Sequence, residues 1–239
     1  GKDDIDKLID GTAAAEKLGY VYDAIDATKK KLNDRVPLIG FSGAPWTLFS
    51  YMIEGQGSKN FSQAKKMLYR NPEESHILMD KLTSTIIAYL KNKVQHGINV
   101  VQVFDSWAGL LNERLYDEFC IPYLKKIVDA IDEVPVIVFS KGAYFAMDSI
   151  HALNPDVVGI DWTMTASAYR KRFGYDEVVQ GNLDPCVLYA SPEEIENRAY
   201  NCIRSFGRNQ IFNLGHGVYP DTPKENVKSL IDSVKRFKY

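Results

Sequence analysis

The chain has 239 residues, 45% of them hydrophobic and 25% charged, the proportions of a globular protein and not of a disordered, collagenous or membrane chain. Its 29 basic and 31 acidic side chains leave a formal charge of −2, so no global positive field favours nucleic acid or anionic lipid. The longest apolar runs are strand-sized, well short of the ~20 residues of a membrane span, and three scattered cysteines without a CxxC pair (Cys120, Cys186, Cys202) exclude a disulfide scaffold and fit a reducing compartment.

The chain opens GKDDIDKLID, charged and without an initiator Met, so it is expected to begin partway through something longer. Residues 1–35 read as helix or loop, with an alanine run at Ala13–Ala15 and no strand. From there short apolar, β-branched runs alternate with helical patterns. The strand candidates are 36–41, 98–104, 134–140, 156–161, 177–182 and 210–215, nearly all apolar, as parallel strands buried on both faces would be. Helical patterns cover 46–54, 60–97 with a break near Asn71-Pro72, 112–132, 143–153, 164–173, 192–207 and 223–236. Ser191-Pro192-Glu193-Glu194 is a helix start with Ser as N-cap, and Asp221-Thr222-Pro223 reads the same way.

Strands alternating with helices give an α/β protein, either an open doubly wound sheet or a (β/α)8 TIM barrel. Polar residues and glycines at the C-terminal ends of many strands favour the barrel; an open sheet would gather its ligand at one switch point. The expectation is a single barrel domain over 1–239 with six βα units in view, two short of the barrel's eight, and truncated at its N-terminus.

Those strand ends carry the candidate chemistry. In GFSGAPWTLFSYMIEGQGS (40–58) small residues end a strand and a helix begins near Trp46. Tyr51 lies five residues into that helix, where it is either an amphipathic core residue with its hydroxyl at the rim or a ligand contact. In VVQVFDSWAG (100–109), Asp105 and Ser106 stand just past the strand end. Asp105 is a base, a charge stabiliser or a cap; Ser106 has neither a neighbouring His nor a GxSxG context and is no nucleophile. In FNLGHGVYP (212–220), His216 lies between two glycines that let its ring face a cleft. Asn182 and Asp184-Pro185 form a turn, Asp161 ends a strand, and Lys141 brings a positive charge to the same rim. His76, His96 and His151 lie in helical patterns and read as structural or surface residues. The chain has no GxGxxG or P-loop segment, no HxxxH pair and no basic stripe interleaved with aromatics. These gaps argue against dinucleotide, zinc and nucleic-acid sites.

Taken in order, GFSGAPWTL with Tyr51 and EGQGS, VQVFDSWAG, VVGIDW, QGNLDPCVLYAS and NLGHGVYPDT resemble the uroporphyrinogen decarboxylase family, from about residue 30 to the end of the chain. The resemblance implies a cytoplasmic homodimer of (β/α)8 barrels that needs no cofactor or metal. Its reaction turns the four acetate side chains of uroporphyrinogen into methyls, giving coproporphyrinogen. The pyrrole serves as electron sink, so the enzyme needs a proton donor, an anion near the pyrrole N–H groups and cationic groups for the substrate's carboxylates. Carried over by position, Tyr51, Ser106 and His216 are substrate-binding residues. The family's pyrrole-facing aspartate and early arginines belong to a RQAGRY-like segment and an FSD-like strand without counterpart here, so the resemblance assigns no catalytic residue in this numbering. Two alternatives stand beside it: a methyltransferase of the same barrel superfamily, which would need a His/Cys metal set, and a residual barrel that binds tetrapyrroles without turnover.

Overall fold

The alanine-rich periodicity of the first residues is realised as three helices. In the computed structural model, which describes residues 1–239, these are α1 (Lys2–Asp6), α2 (Gly11–Glu16) and α3 (Gly19–Leu32). Asp10 caps α2 by accepting the Thr12 N–H at 2.9 Å. At the other end of α3, Asn33 takes the left-handed conformation, with Lys29, Lys30 and Lys31 in the last turn where the helix dipole favours cations.

The chain divides into two units, 1–156 and 157–239, and each is described by itself. In the first, the helices above are followed by β1 (Ile39–Gly43), α4 (Pro45–Glu54), α5 (Ser62–Arg70), α6 (Pro72–Gln95), β2 (Val100–Asp105), α7 (Glu113–Phe119), α8 (Ile121–Ala130), β3 (Val136–Ser140) and α9 (Met147–His151). The three strands are parallel, with Ile39 opposite Val100 and Val101 opposite Val136. The core runs along α6, whose Leu78, Leu82, Ile86 and Leu90 recur every four residues and are all buried. At roughly 1.5–3 kcal/mol per fully buried aliphatic side chain, that stripe is a main source of the unit's stability.

In the second unit the order is β4 (Val157–Gly159), α10 (Ala166–Phe173), β5 (Val179–Leu183), α11 (Pro192–Phe206), β6 (Gln210–Leu214) and α12 (Lys224–Arg236), again with parallel pairing of β4 to β5 and β5 to β6. Its core gathers Leu183, Leu188, Ile195, Ala199 and Leu230. Arg170 is buried and donates to four carbonyls, those of Phe206, Gly174, Glu177 and Asn209, at 2.7–3.2 Å. One guanidinium thus ties the end of α10 to the starts of β5 and β6.

All six expected strands form, with shifted edges. The first starts at Ile39 and not at Val36, because Pro37 has no N–H to give a ladder and the Leu38 N–H goes to Asn99 Oδ1. The fourth ends at Gly159, since Asp161 instead accepts from the Thr163 N–H and hydroxyl in a turn. Burial on both faces holds for β3, β4 and β5 but not for β1, β2 or β6, whose residues alternate between more and less covered positions. The helix expected over 112–132 breaks at Cys120, because Pro122 cannot continue a helix already under way and restarts it as α8. Within 143–153 a 3₁₀ turn at Tyr144–Ala146 precedes α9. Ser191 does cap α11, accepting the Glu194 N–H at 3.3 Å. The matching expectation for Asp221-Thr222 is corrected: α12 has no side-chain cap, and Asp221 accepts the Tyr189 hydroxyl at 2.5 Å. No helix is long and apolar enough to cross a membrane.

Candidate active site

In the first unit the segment that leaves β2 is held by α4. The Ala44 N–H donates to the Phe104 carbonyl at 2.9 Å, which brings the start of α4 against the end of β2. Three residues on α4 then reach the next turn of chain. Trp46 Nε1 donates to the Trp107 carbonyl at 3.1 Å. The Thr47 hydroxyl donates to Asp105 Oδ1 at 2.7 Å and accepts the Ser106 N–H at 2.9 Å. Tyr51, one turn beyond Thr47, meets the Trp107 ring edge-on with centroids 6.3 Å apart, and Phe61 at 5.5 Å. Tyr51 and Ser106 are therefore brought together, and neither the Tyr51 hydroxyl nor Ser106 Oγ is engaged by another protein group. Tyr51 is 40% exposed, which fits a ring packed on aromatics with a free polar tip better than a core residue.

Asp105 precedes the 3₁₀ turn Ala108–Leu110, whose N-cap residue Trp107 makes no side-chain cap bond. It is buried, and burial pushes its carboxyl up to about 6; the Thr47 hydroxyl, the Tyr116 hydroxyl and the Trp107 backbone pull weakly the other way. Tyr116 makes its own hydrogen bond to Ser140 Oγ at 2.8 Å, and Asp105 Oδ2 is left without a partner, as is Trp107 Nε1. Two orphaned polar atoms, at roughly 1–3 kcal/mol each, make this segment locally costly, a pattern more common at working sites than at structural ones.

In the second unit His216 is exposed, with Nδ1 3.2 Å from the Gly217 carbonyl and its ring edge-on to Trp162 at 6.0 Å. Its neighbour Gly215 is required, because a Cβ there would stand 2.5 Å from the Trp162 amide nitrogen. Asn182 is tied down, donating from Nδ2 to the Asp161 and Met164 carbonyls at 2.7 and 2.6 Å. Asp184 caps a 3₁₀ turn by accepting the Cys186 N–H at 2.8 Å. Lys141 follows β3 in the first unit. His76 bonds the Tyr123 hydroxyl at 2.7 Å and His96 bonds Asp26 at 3.0 Å, both structural ties, while His151 closes α9. No group of three or more His, Cys, Asp and Glu side chains is placed to hold a metal, and the three cysteines are free.

Sequence inspection missed Thr47 and Trp107, which organise the first unit's strand ends. Thr47 lies inside the GAPWT motif four residues before Tyr51, hence on the same helix face, which was the available signal.

Parallel strands alternating with helices, with polar groups just past the strand ends, define a barrel-class α/β protein. Comparison with solved structures agrees: a methyltransferase from Methanosarcina mazei superposes with a TM-score of 0.80 over 91% of this chain and 64% of its own, at 20% identity, a likeness of fold alone. The sequence model of uroporphyrinogen decarboxylase (URO-D) matches residues 1–237. Relatives named uroporphyrinogen decarboxylase include those of Chlorobaculum parvum, 48% identical over 97% of this chain and 68% of the relative, and Christiangramia forsetii, 47% identical over 93% and 66%. The chain belongs to the uroporphyrinogen decarboxylase family, whose fold is the TIM barrel. It spans about two thirds of the length of these relatives.

Proposed function

We propose that this protein decarboxylates the four acetate side chains of uroporphyrinogen to give coproporphyrinogen, in the cytoplasm, as a homodimer and without metal or cofactor. The observation that carries this reading is the family match over residues 1–237. The hydroxyls of Tyr51 and Ser106 support it: no protein group engages them, they stand on a fixed helix and just past a strand end, and they can donate hydrogen bonds to carboxylates. His216, on an exposed strand-end loop, is read as a third carboxylate contact. We further read 1–239 as part of one barrel domain.

The chemistry asks little of such residues beyond positioning. A proton added to the α-carbon next to the ring carbon that bears the acetate makes a cation delocalised over the pyrrole. Cleavage of the bond to the carboxylate releases CO2 and returns the electron pair to the ring system. A proton delivered to the exocyclic carbon and one lost from the ring leave a methyl group, so each carboxylate is exchanged for one hydrogen at a net uptake of one proton. The residues identified here bind and orient the acid side chains; the proton donor and the anion that faces the pyrrole nitrogens are not assigned to this chain's residues. The likeness to a methyltransferase is one of fold, which leaves the methyltransferase alternative without an observation of its own.

The test is turnover of uroporphyrinogen by the full-length protein in the presence of a metal chelator. Stepwise appearance of hepta-, hexa-, penta- and tetracarboxylate products supports the proposal. Absence of product, or dependence on added metal, contradicts it.

A further inference from the structure

Among the three residues that follow each strand, only two are basic: Lys141 after β3 and His216 after β6. Lys141 has no role in the account above. Its main chain is fixed on both sides, the N–H donating to the Asp105 carbonyl at 3.0 Å and the carbonyl accepting the Gly109 N–H at 2.9 Å. Gly109 and Gly142 pack so closely that a Cβ on Gly109 would lie 3.0 Å from the Gly142 backbone. Asp105 pairs with Ser140 in register, so Lys141 leaves β3 at the level where Ser106 leaves β2. Its ammonium lies 5.9 Å from the centre of the Trp107 ring, the same ring that Tyr51 meets edge-on at 6.3 Å.

Two other covered lysines of this unit are engaged, Lys29 with the Gly97 carbonyl and Lys93 with that of Phe41; half-buried Lys65 and Lys91 have no such partner, but they lie on α5 and α6 and not at a strand end. Lys141 Nζ takes part in no ion pair and no hydrogen bond with the protein. A cation held at a strand end on an aromatic face, with no counter-charge of its own, is what an anionic ligand needs. We propose that Lys141 is a further substrate-binding residue, taking a peripheral carboxylate of the tetrapyrrole beside Tyr51 and Ser106. The proposal deepens the decarboxylase reading and rests on it.

The test compares wild-type full-length protein with Lys141→Gln and Lys141→Arg, by turnover of uroporphyrinogen, by fluorescence titration with uroporphyrin and by thermal melting. Loss of one charge-assisted bond predicts that Lys141→Gln raises KM and Kd roughly tenfold, with kcat changed less. Lys141→Arg recovers most of the affinity, and Tm is unchanged because Nζ makes no bond to the protein. Unaltered KM and Kd in Lys141→Gln overturn the proposal. So does a joint fall of kcat, affinity and Tm that arginine does not relieve, which would make Lys141 only a prop for Trp107. If the wild type binds uroporphyrin but does not turn it over, the decarboxylase reading fails and the titration still decides the Lys141 assignment. If it does not bind, both fall.

Discussion

In the first unit the strand-end segment is held by side chains reaching from one helix: Trp46, Thr47 and Tyr51 fix Asp105, Ser106 and Trp107 by separate bonds and ring contacts. In the second unit the strand-end turns combine short side-chain ties from Asp161, Asn182 and Asp184 with close main-chain packing, Gly181 and Gly215 standing where a Cβ would strike backbone atoms at 2.5 Å. At the opposite ends of β5 and β6, where those strands start, a single arginine collects four carbonyls. The first arrangement can be altered one contact at a time, so its residues can be tuned to a ligand. The second tolerates less partial change, and it leaves His216 exposed, with an edge-on contact to Trp162, on a loop that others hold in shape.

The contrast can be broken most severely at Arg170. Arg170→Met leaves four carbonyls without their donor and is expected to cost on the order of 4 kcal/mol; a denaturation midpoint close to wild type would mean that water or other donors replace the guanidinium. Gly181→Ala should cost about 3 kcal/mol, from a φ of +135° and a methyl 2.5 Å from the Ile160 carbonyl oxygen. A silent Gly181→Ala would dissolve the claim that glycine proximity shapes these turns.

In the first unit the expected effects are graded. Asp105 titrates near 6 when folded against an ordinary 3.8, so the folded state binds the extra proton between those values. The carboxyl's contribution to stability is then full below about pH 4 and is lost as the pH rises through 6, a change of roughly 3 kcal/mol. Asp105→Asn cannot titrate, and its stability relative to wild type should rise across that window; parallel pH curves for the two proteins would show that burial does not perturb the acid. Thr47→Val removes both the donor to Asp105 and the acceptor for the Ser106 N–H, at about 1–3 kcal/mol, whereas Thr47→Ser keeps both. Equal kcat/KM in the two variants would sharpen the comparison against us, since Ser106 would then hold its place unaided.

The alternation of strand and helix was legible because β-branched runs and helical periodicity are local signals. So were the helix break at Pro72 and the cap at Ser191. Pro122 carried the same message as Pro72 and was overlooked inside a strongly periodic stretch. The open faces of β1 and β6 were not legible, since apolar runs look alike whether one face is covered or two. Nor was the loss of Asp221 as a cap, because its competitor Tyr189 lies 32 positions away in sequence. Of the site, Ser106 and His216 could be found from their place after strands and between glycines. The Thr47–Asp105 bond, which spans 58 positions, exists only in the fold.

The central claim is that Tyr51, Ser106 and His216 bind the substrate's carboxylates without holding the protein together. Its most direct test is a fluorescence titration of the full-length protein with uroporphyrin, wild type against a combined Tyr51→Phe, Ser106→Ala, His216→Ala variant. The account predicts a Kd raised by about a hundredfold or more, from three lost hydrogen bonds to charged groups, with Tm nearly unchanged. A variant that binds as tightly as wild type would contradict it.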